Sequence, residues 1–327
     1  MKNPTLFIGP MSKNIVDAVI EYSNRNNVTL GLIPSRRQVD MNGGYVNNWT
    51  TEQFCSYVKE KTSNVLITRD HSGPNQGSRD DDGLDSFIND CSVGQVDVIH
   101  IDVWKKYPAL KDGLKTTIDW VNIGYDINPN VFYEVGTEES IRRFSPEDLD
   151  LFLRLLKEGL DKKFDQIKYA VIQSGTALKE GANVGIYDKN RLESMLKVVK
   201  KYGLTSKEHN GDFLSIDTVK EKFKIGLDSI NIAPEFGQIE TSVILNEMEK
   251  NYPEFIDIFF EICHNSKKWE KWVDKNFNPL KDKIELIKIC GHYVFSYNDF
   301  KKIKSQMNVE LDMLIKREIN KKIEFLL

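Results

Sequence analysis

The chain is poor in cysteine and histidine, nearly balanced in charge, and without any long apolar run. Among its 327 residues are four cysteines, Cys55, Cys91, Cys263 and Cys290, none in CxxC spacing. That excludes a disulfide framework or thiolate zinc knuckle and fits reduced, mostly buried thiols. A formal net charge of −4 argues against a general nucleic-acid or membrane-surface binder, which is usually basic. No stretch approaches a transmembrane helix in length. The N-terminal MKNPTLFIGPMSK has no apolar segment of the kind that exports a protein, so a cytoplasmic location is expected. Walker A and post-strand GxGxxG sequences are both absent, so no nucleotide cofactor is expected. There is no internal repeat and no low-complexity tract.

What is present is a series of short apolar runs, several of them ending in polar signatures. The runs fit strands at Thr5–Ile8, Val28–Ile33, Val65–Thr68, Val96–Ile101, Val131–Val135, Ile167–Ile172, Leu204–Lys207 and Ser229–Ile232. Amphipathic stretches between them read as helices, with Thr50 or Thr51 capping one and Ser145-Pro146 opening another. Eight strands alternating with helices predict an α/β fold, a (β/α)8 TIM barrel over residues 1–245. An open doubly wound sheet is the rival, but it places ligand at one switch point, whereas here polar strand ends continue from the third strand to the eighth. After about Gly237 the strand signal fades. Residues 246–327 read as a helical C-terminal extension packed on the barrel, with Trp269, Trp272, Tyr293 and Phe295 as core anchors.

In a parallel barrel, chemistry gathers at the carboxyl ends of the strands. Two of the five histidines, His71 and His209, fall there beside an acid. With Glu134, or Gln173 as a weak oxygen donor, they make a candidate set for a divalent metal. The alternative is a metal-free pocket in which both are hydrogen-bonded polar residues. His71, Glu134, Gln173 and His209 are expected to line one cavity. His100, His264 and His292 read as structural. An inward Glu134 needs a metal, a base or a proton, or an arginine such as Arg69. Asp70 and Asp102 are proton-transfer candidates, each equally readable as a support for a histidine. Glu138 competes with Glu134 for a role above the strand. Arg36 and Arg37 follow the second strand and suit a substrate phosphate or carboxylate.

These pieces resemble the tagatose-bisphosphate aldolase accessory-subunit family, (β/α)8 relatives of class II metal-dependent sugar-bisphosphate aldolases. The matching residues are Gln38-Val39 with Gly43-Gly44-Tyr45, Asp70-His71 with Gly73-Pro74-Asn75, and Gly136-Thr137-Glu138. Gln173 with Gly175 and Glu208-His209 with Asp212 continue the series in the family's order, from about residue 30 to 245. The resemblance implies carbohydrate metabolism. It implies His71 and His209 as metal ligands, Asp70 as the acid/base, and zinc, manganese or cobalt as the metal. It places Gln38, Asn75, Glu208, Asp212 and Asn231 among the substrate-binding residues. Catalytic relatives use three histidines; the sixth strand here offers Gln173, as in the accessory subunits. The last strand reads NIAPE and lacks the Asp-Thr that helps hold phosphate in the aldolases. Two functions follow: aldol cleavage/condensation or epimerisation of a phosphorylated or acidic sugar, or a non-catalytic subunit stabilising a partner aldolase. The expected partners are a sugar or sugar phosphate, and a catalytic aldolase subunit or a second copy, with no nucleic acid and no membrane.

Overall fold

A computed structural model describes residues 3–78, 81–179, 182–307 and 310–327. Eight parallel strands close into a barrel: β1 Leu6–Ile8, β2 Leu30–Leu32, β3 Val65–Ser72, β4 Val98–Ile101, β5 Phe132–Val135, β6 Ile167–Ile172, β7 Thr205–Glu208 and β8 Ser229–Ile232. Helices α1 Lys13–Asn26, α2 Thr51–Lys59, α3 Leu84–Val93, α4 Leu110–Ile127, α5 Pro146–Leu160, α6 Lys189–Lys201, α7 Ile216–Ile225 and α8 Pro234–Asn251 form the outer layer. The caps are those the sequence points to. Thr50 and Ser145 each close a capping box, and Pro146 occupies the first turn of α5.

Strand alternation sorts the core. Leu6, Ile8, Ile99, Ile101, Val135 and Ile232 join the cluster packed under the helices. Phe7, Ile33, Leu66, Val98 and Tyr169 form a separate apolar plug inside the barrel. In parallel pairing, residues in register share a face. His100 pairs with Glu134 and Glu134 with Tyr169, so these polar side chains sit inside, above the plug.

The remaining helices are α9 Glu254–Ser266, α10 Lys283–Cys290, α11 Asn298–Lys304 and α12 Leu311–Leu326. The division expected at residue 245 falls within α8, one continuous helix. α12 packs against both α1 and α8, covering the seam where the outer layer closes. All four cysteines are free and buried. No helix among the described residues is long and apolar enough to cross a membrane.

The extension holds one costly residue. His292 is 1% exposed, packs against Gly237 of α8, and has no hydrogen-bond partner for either ring nitrogen among the described residues. Burial, then the charge of Lys271, lowers its pKa to about 3. The native imidazole therefore stays neutral while the unfolded one takes a proton below about pH 6.5. This histidine's contribution to stability is present above that pH and is lost as pH falls toward 3. Between pH 7 and 5 the wild type should lose about 2 kcal/mol more than His292→Gln in urea unfolding. Parallel pH profiles for the two proteins would contradict this.

Candidate active site

The geometry begins with an irregularity in β3. Arg69 pairs with Ile99 and Ser72 with Ile101, so Asp70 and His71 together span the place opposite His100. This is a β-bulge, and His71 takes the left-handed backbone angle φ 47°. The bulge directs two consecutive side chains to the barrel mouth. Gly73 follows because a Cβ there would lie 1.8 Å from the Asp102 carbonyl oxygen. Arg69 anchors the strand from outside. Buried, it donates to both carboxylate oxygens of Asp90 at 2.6 and 2.8 Å, and to the carbonyls of Pro34 and Val39.

Three imidazoles meet over the plug. His71, His100 and His209 have ring centroids 5.0, 5.1 and 4.9 Å apart. One nitrogen of each faces an acceptor on the outside. His71 Nδ1 lies 2.6 Å from Asp102, His100 Nε2 3.0 Å from the Gly136 carbonyl, and His209 Nε2 2.7 Å from Glu134. Those acceptors require N–H on the outer side, which assigns the tautomers and leaves His71 Nε2, His100 Nδ1 and His209 Nδ1 as the inner nitrogens. His100 Nδ1 also takes a long bond, 3.3 Å, from the backbone N–H of His71. Asp70 completes the group. Its carboxylate stands 3.8 Å from His71 and 3.9 Å from His209, and its buried Oδ1 has no hydrogen-bond partner among the described residues. Ligand atoms of Asp70, His71, His100 and His209 all lie within 4.8 Å of one another. Three lone pairs and an unpartnered carboxylate oxygen in one small volume fit a divalent cation.

The acids around His71 favour a second proton on its ring, and metal binding must displace that proton. Burial would lower the His71 pKa, but Asp70, Asp102 and Glu138 surround the ring and raise it to about 10. His100 is pulled down, chiefly by burial. Burial pushes the Glu134 carboxyl up, but Lys207, His100 and His209 outweigh it and hold the group well below the usual carboxylate range. The same balance of burial against His71 keeps Asp102 ionised.

Several sequence expectations need correction. Glu134 does not reach the cluster: it is 0% exposed, bound to Lys207 Nζ at 2.7 Å through one oxygen and to His209 through the other. Its partner is Lys207, not Arg69. Gln173 is spent elsewhere. Its amide nitrogen donates to the Thr137 and Arg142 carbonyls, and its oxygen accepts from Phe144 and Arg191. Asp102 is saturated by His71, Gln76, Thr137 and the Trp104 amide, which suits holding a ring rather than moving a substrate proton. Arg36 is buried, clamped on Asp81 through two 2.7 Å bonds and reaching Asp40, so it cannot face substrate. Glu208 turns outward to Lys222 at 2.6 Å, and both are fully buried. Asp212 accepts from the amides of Ala233 and Glu235, capping α8, and burial raises its pKa to about 7. Asn75 is exposed with φ 61°, away from the cleft.

A cleft of about 240 Å³ opens at His71. Of the four residues expected to share one cavity, His71 lines it and Glu134, Gln173 and His209 do not; Asp70, Glu138, Gln38 and Arg37 line it too. Gln76, Lys105, Lys271, Trp272 and Tyr293 line it as well. Glu138 accepts from Asn210 at 2.7 Å and lies 3.8 Å from His71 Nε2. Asn231 is 4% exposed, and both of its amide atoms lack partners among the described residues. His100 is the main residue missed. It carries no acidic neighbour in sequence, but it shares strand parity with Val98 and Asp102, which is the available signal. A larger groove, lined by Lys189, Lys197, Lys200, Lys220 and Lys224, lies on α6 and α7, away from this chemistry.

No family profile matches the sequence. No curated protein matches it either. Solved structures do match. A structure named as a probable tagatose 6 phosphate kinase from Sinorhizobium meliloti 1021 aligns over 99% of this chain and 99% of its own, with TM-score 0.76 and 14% identity. The fructuronate-tagaturonate epimerase UxaE from Cohnella laeviribosi aligns over 99% and 81%, with TM-score 0.67 and 10% identity. A fructose-bisphosphate aldolase from Campylobacter jejuni aligns over 95% and 90%, with TM-score 0.58 and 14% identity. At these identities the likeness establishes the shared barrel fold. It agrees with the remote resemblance read from the motifs.

Proposed function

We propose that the chain is a metal-dependent carbohydrate enzyme acting by aldol cleavage/condensation or epimerisation on a phosphorylated or acidic sugar. The observation that carries this reading is the triangle of imidazoles, each with its outer nitrogen engaged and its inner nitrogen turned toward Asp70. His71, His100 and His209 would hold the metal, with Asp70 beside it, and the donor set suits zinc first, then manganese or cobalt. Such an ion supplies Lewis-acid polarisation of a sugar carbonyl or hydroxyl oxygen.

The chain's own groups do the rest. Glu134 and Asp102 fix the tautomers of His209 and His71. Asp70 and Glu138, on either side of His71 Nε2, are placed to take and return a proton at a sugar carbon or hydroxyl. Asn231, with both amide atoms unpartnered among the described residues, is the amide available to orient a hydroxyl. The names of the structural neighbours, aldolase and epimerase, support this class of chemistry.

A second reading, an accessory subunit for a partner aldolase, is favoured by one observation. The sixth strand contributes no ligand, because Gln173 is committed to the loops around Phe144 and Thr137. Metal analysis separates the two. The wild type should carry about one metal per chain, and His100→Ala should lose most of it while His264→Ala keeps it. If the wild type holds none, and zinc, manganese and cobalt all leave its thermal midpoint unmoved, the metal mechanism is wrong.

A further inference from the structure

Three cations stand at the cleft with no direct ion pair among the described residues. Arg37 leaves the turn after β2, Lys105 the loop after β4, and Lys271 the short 3-10 turn Glu270–Trp272 of the C-terminal extension. All three line the cleft that contains Asp70, His71 and Glu138. Each is exposed to solvent. Arg37 gives Nε to the Gly77 carbonyl at 3.1 Å, and Lys105 gives Nζ to Gln76 Oε1 at 2.6 Å. Lys271 Nζ faces the rings of Trp272 and Tyr293 at 4.7 and 5.0 Å. Among the described residues, none of the three has a carboxylate within ion-pair distance.

The three are close enough to repel. Burial and then Arg37 lower the pKa of Lys105. Partial enclosure, followed by the like charges of Arg37, Lys268 and Lys105, lowers that of Lys271 to about 8. Asp102, Glu138 and Asp70 offset part of this at Lys105, but none pairs with it directly, and an anion placed between the three cations relieves the remaining repulsion.

We propose that Arg37, Lys105 and Lys271 form a subsite for a phosphate-type dianion, the charged end of the sugar, so that the C-terminal extension furnishes one wall of the active site. The identification of that dianion with substrate rests on the function proposed above. A phosphate is favoured over a carboxylate by the arrangement. A carboxylate presents two oxygens in one plane, which a single guanidinium can satisfy, whereas three donors arriving from different elements suit a tetrahedral group with three free oxygens. The subsite also answers the missing Asp-Thr on the last strand: the anion is held by other residues, one of which, Lys271, lies beyond the stretch that the aldolase resemblance covers.

The test is calorimetric titration of inorganic phosphate and of acetate into the full chain, its Lys271→Gln and Lys105→Gln variants, with metal content measured on the same samples. Phosphate should bind the wild type more tightly than acetate, and each substitution should weaken phosphate roughly tenfold. Metal content and far-ultraviolet dichroism should be unchanged, since both lysines are exposed. Equal phosphate affinity in wild type and Lys271→Gln, or acetate binding as tightly as phosphate, overturns the subsite. The two failures are distinguishable. Loss of the phosphate effect with metal retained removes the subsite alone; Lys271-dependent phosphate binding by a protein that takes up no metal removes the metal mechanism alone.

Discussion

Lys207→Met should cost the fold about 3–5 kcal/mol in urea unfolding, because it strands an ionised carboxylate in the barrel interior. Lys207 and Glu134 are both 0% exposed, and the ammonium lies 2.7 Å from the carboxylate and 3.8 Å from the Phe7 ring centroid. Methionine fills the space of the lysine stem but supplies no charge. Adding Glu134→Gln should restore much of the loss, since the stranded charge is gone and the amide oxygen can still accept from His209. The double variant should therefore be nearly as stable as wild type while binding metal less well. A Lys207→Met protein within 1 kcal/mol of wild type would show that Glu134 finds water or a proton instead.

Asp102→Asn should weaken metal affinity about 10- to 100-fold with little change in fold. Asp102 accepts His71 Nδ1–H at 2.6 Å and is ringed by Gln76 and Thr137. An asparagine presents either its oxygen, without the charge that raises the basicity of the ring, or its NH2, which forces the opposite tautomer and protonates the inner nitrogen. Competition with a chelator of known affinity reads the change directly. Unaltered affinity would mean that His71 is not a ligand.

Much of the barrel was legible because its strands are short, apolar and periodic. β8 matches its expected span, and β6 does too. β2 and β4 begin two residues later than their apolar runs, since Val28 and Val96 pack on the core before strand pairing begins. β3 runs on to Ser72 because a bulge continues pairing through residues that read as loop. β7, TSKE, is the most polar strand and sits one residue later than the expected Leu204–Lys207. Its polarity is that of two buried ion pairs facing opposite ways, Lys207 inward to Glu134 and Glu208 outward to Lys222. Such partners lie far apart in the chain, and no local pattern reveals them. The same holds for Arg36, whose exposure could not be judged without knowing where Asp81 falls. His71 and His209 were visible from their acidic neighbours. His100 was hidden in an apolar run, and Lys271 in a segment read only for its aromatic anchors.

The packing of α12 between α1 and α8 sets a timetable for the growing chain. The side of α1 that meets α12 is made early, yet α12 begins 285 residues after α1 ends at Asn26. At ribosomal speeds of about 5–20 residues per second, that face waits roughly 15–60 s for its cover. Loop closure over such a separation is slow compared with forming the helix itself. Nascent chains should therefore present a sticky, protease-sensitive first helix for most of their synthesis, and chaperone contacts mapped along translation should persist until α12 has left the exit tunnel.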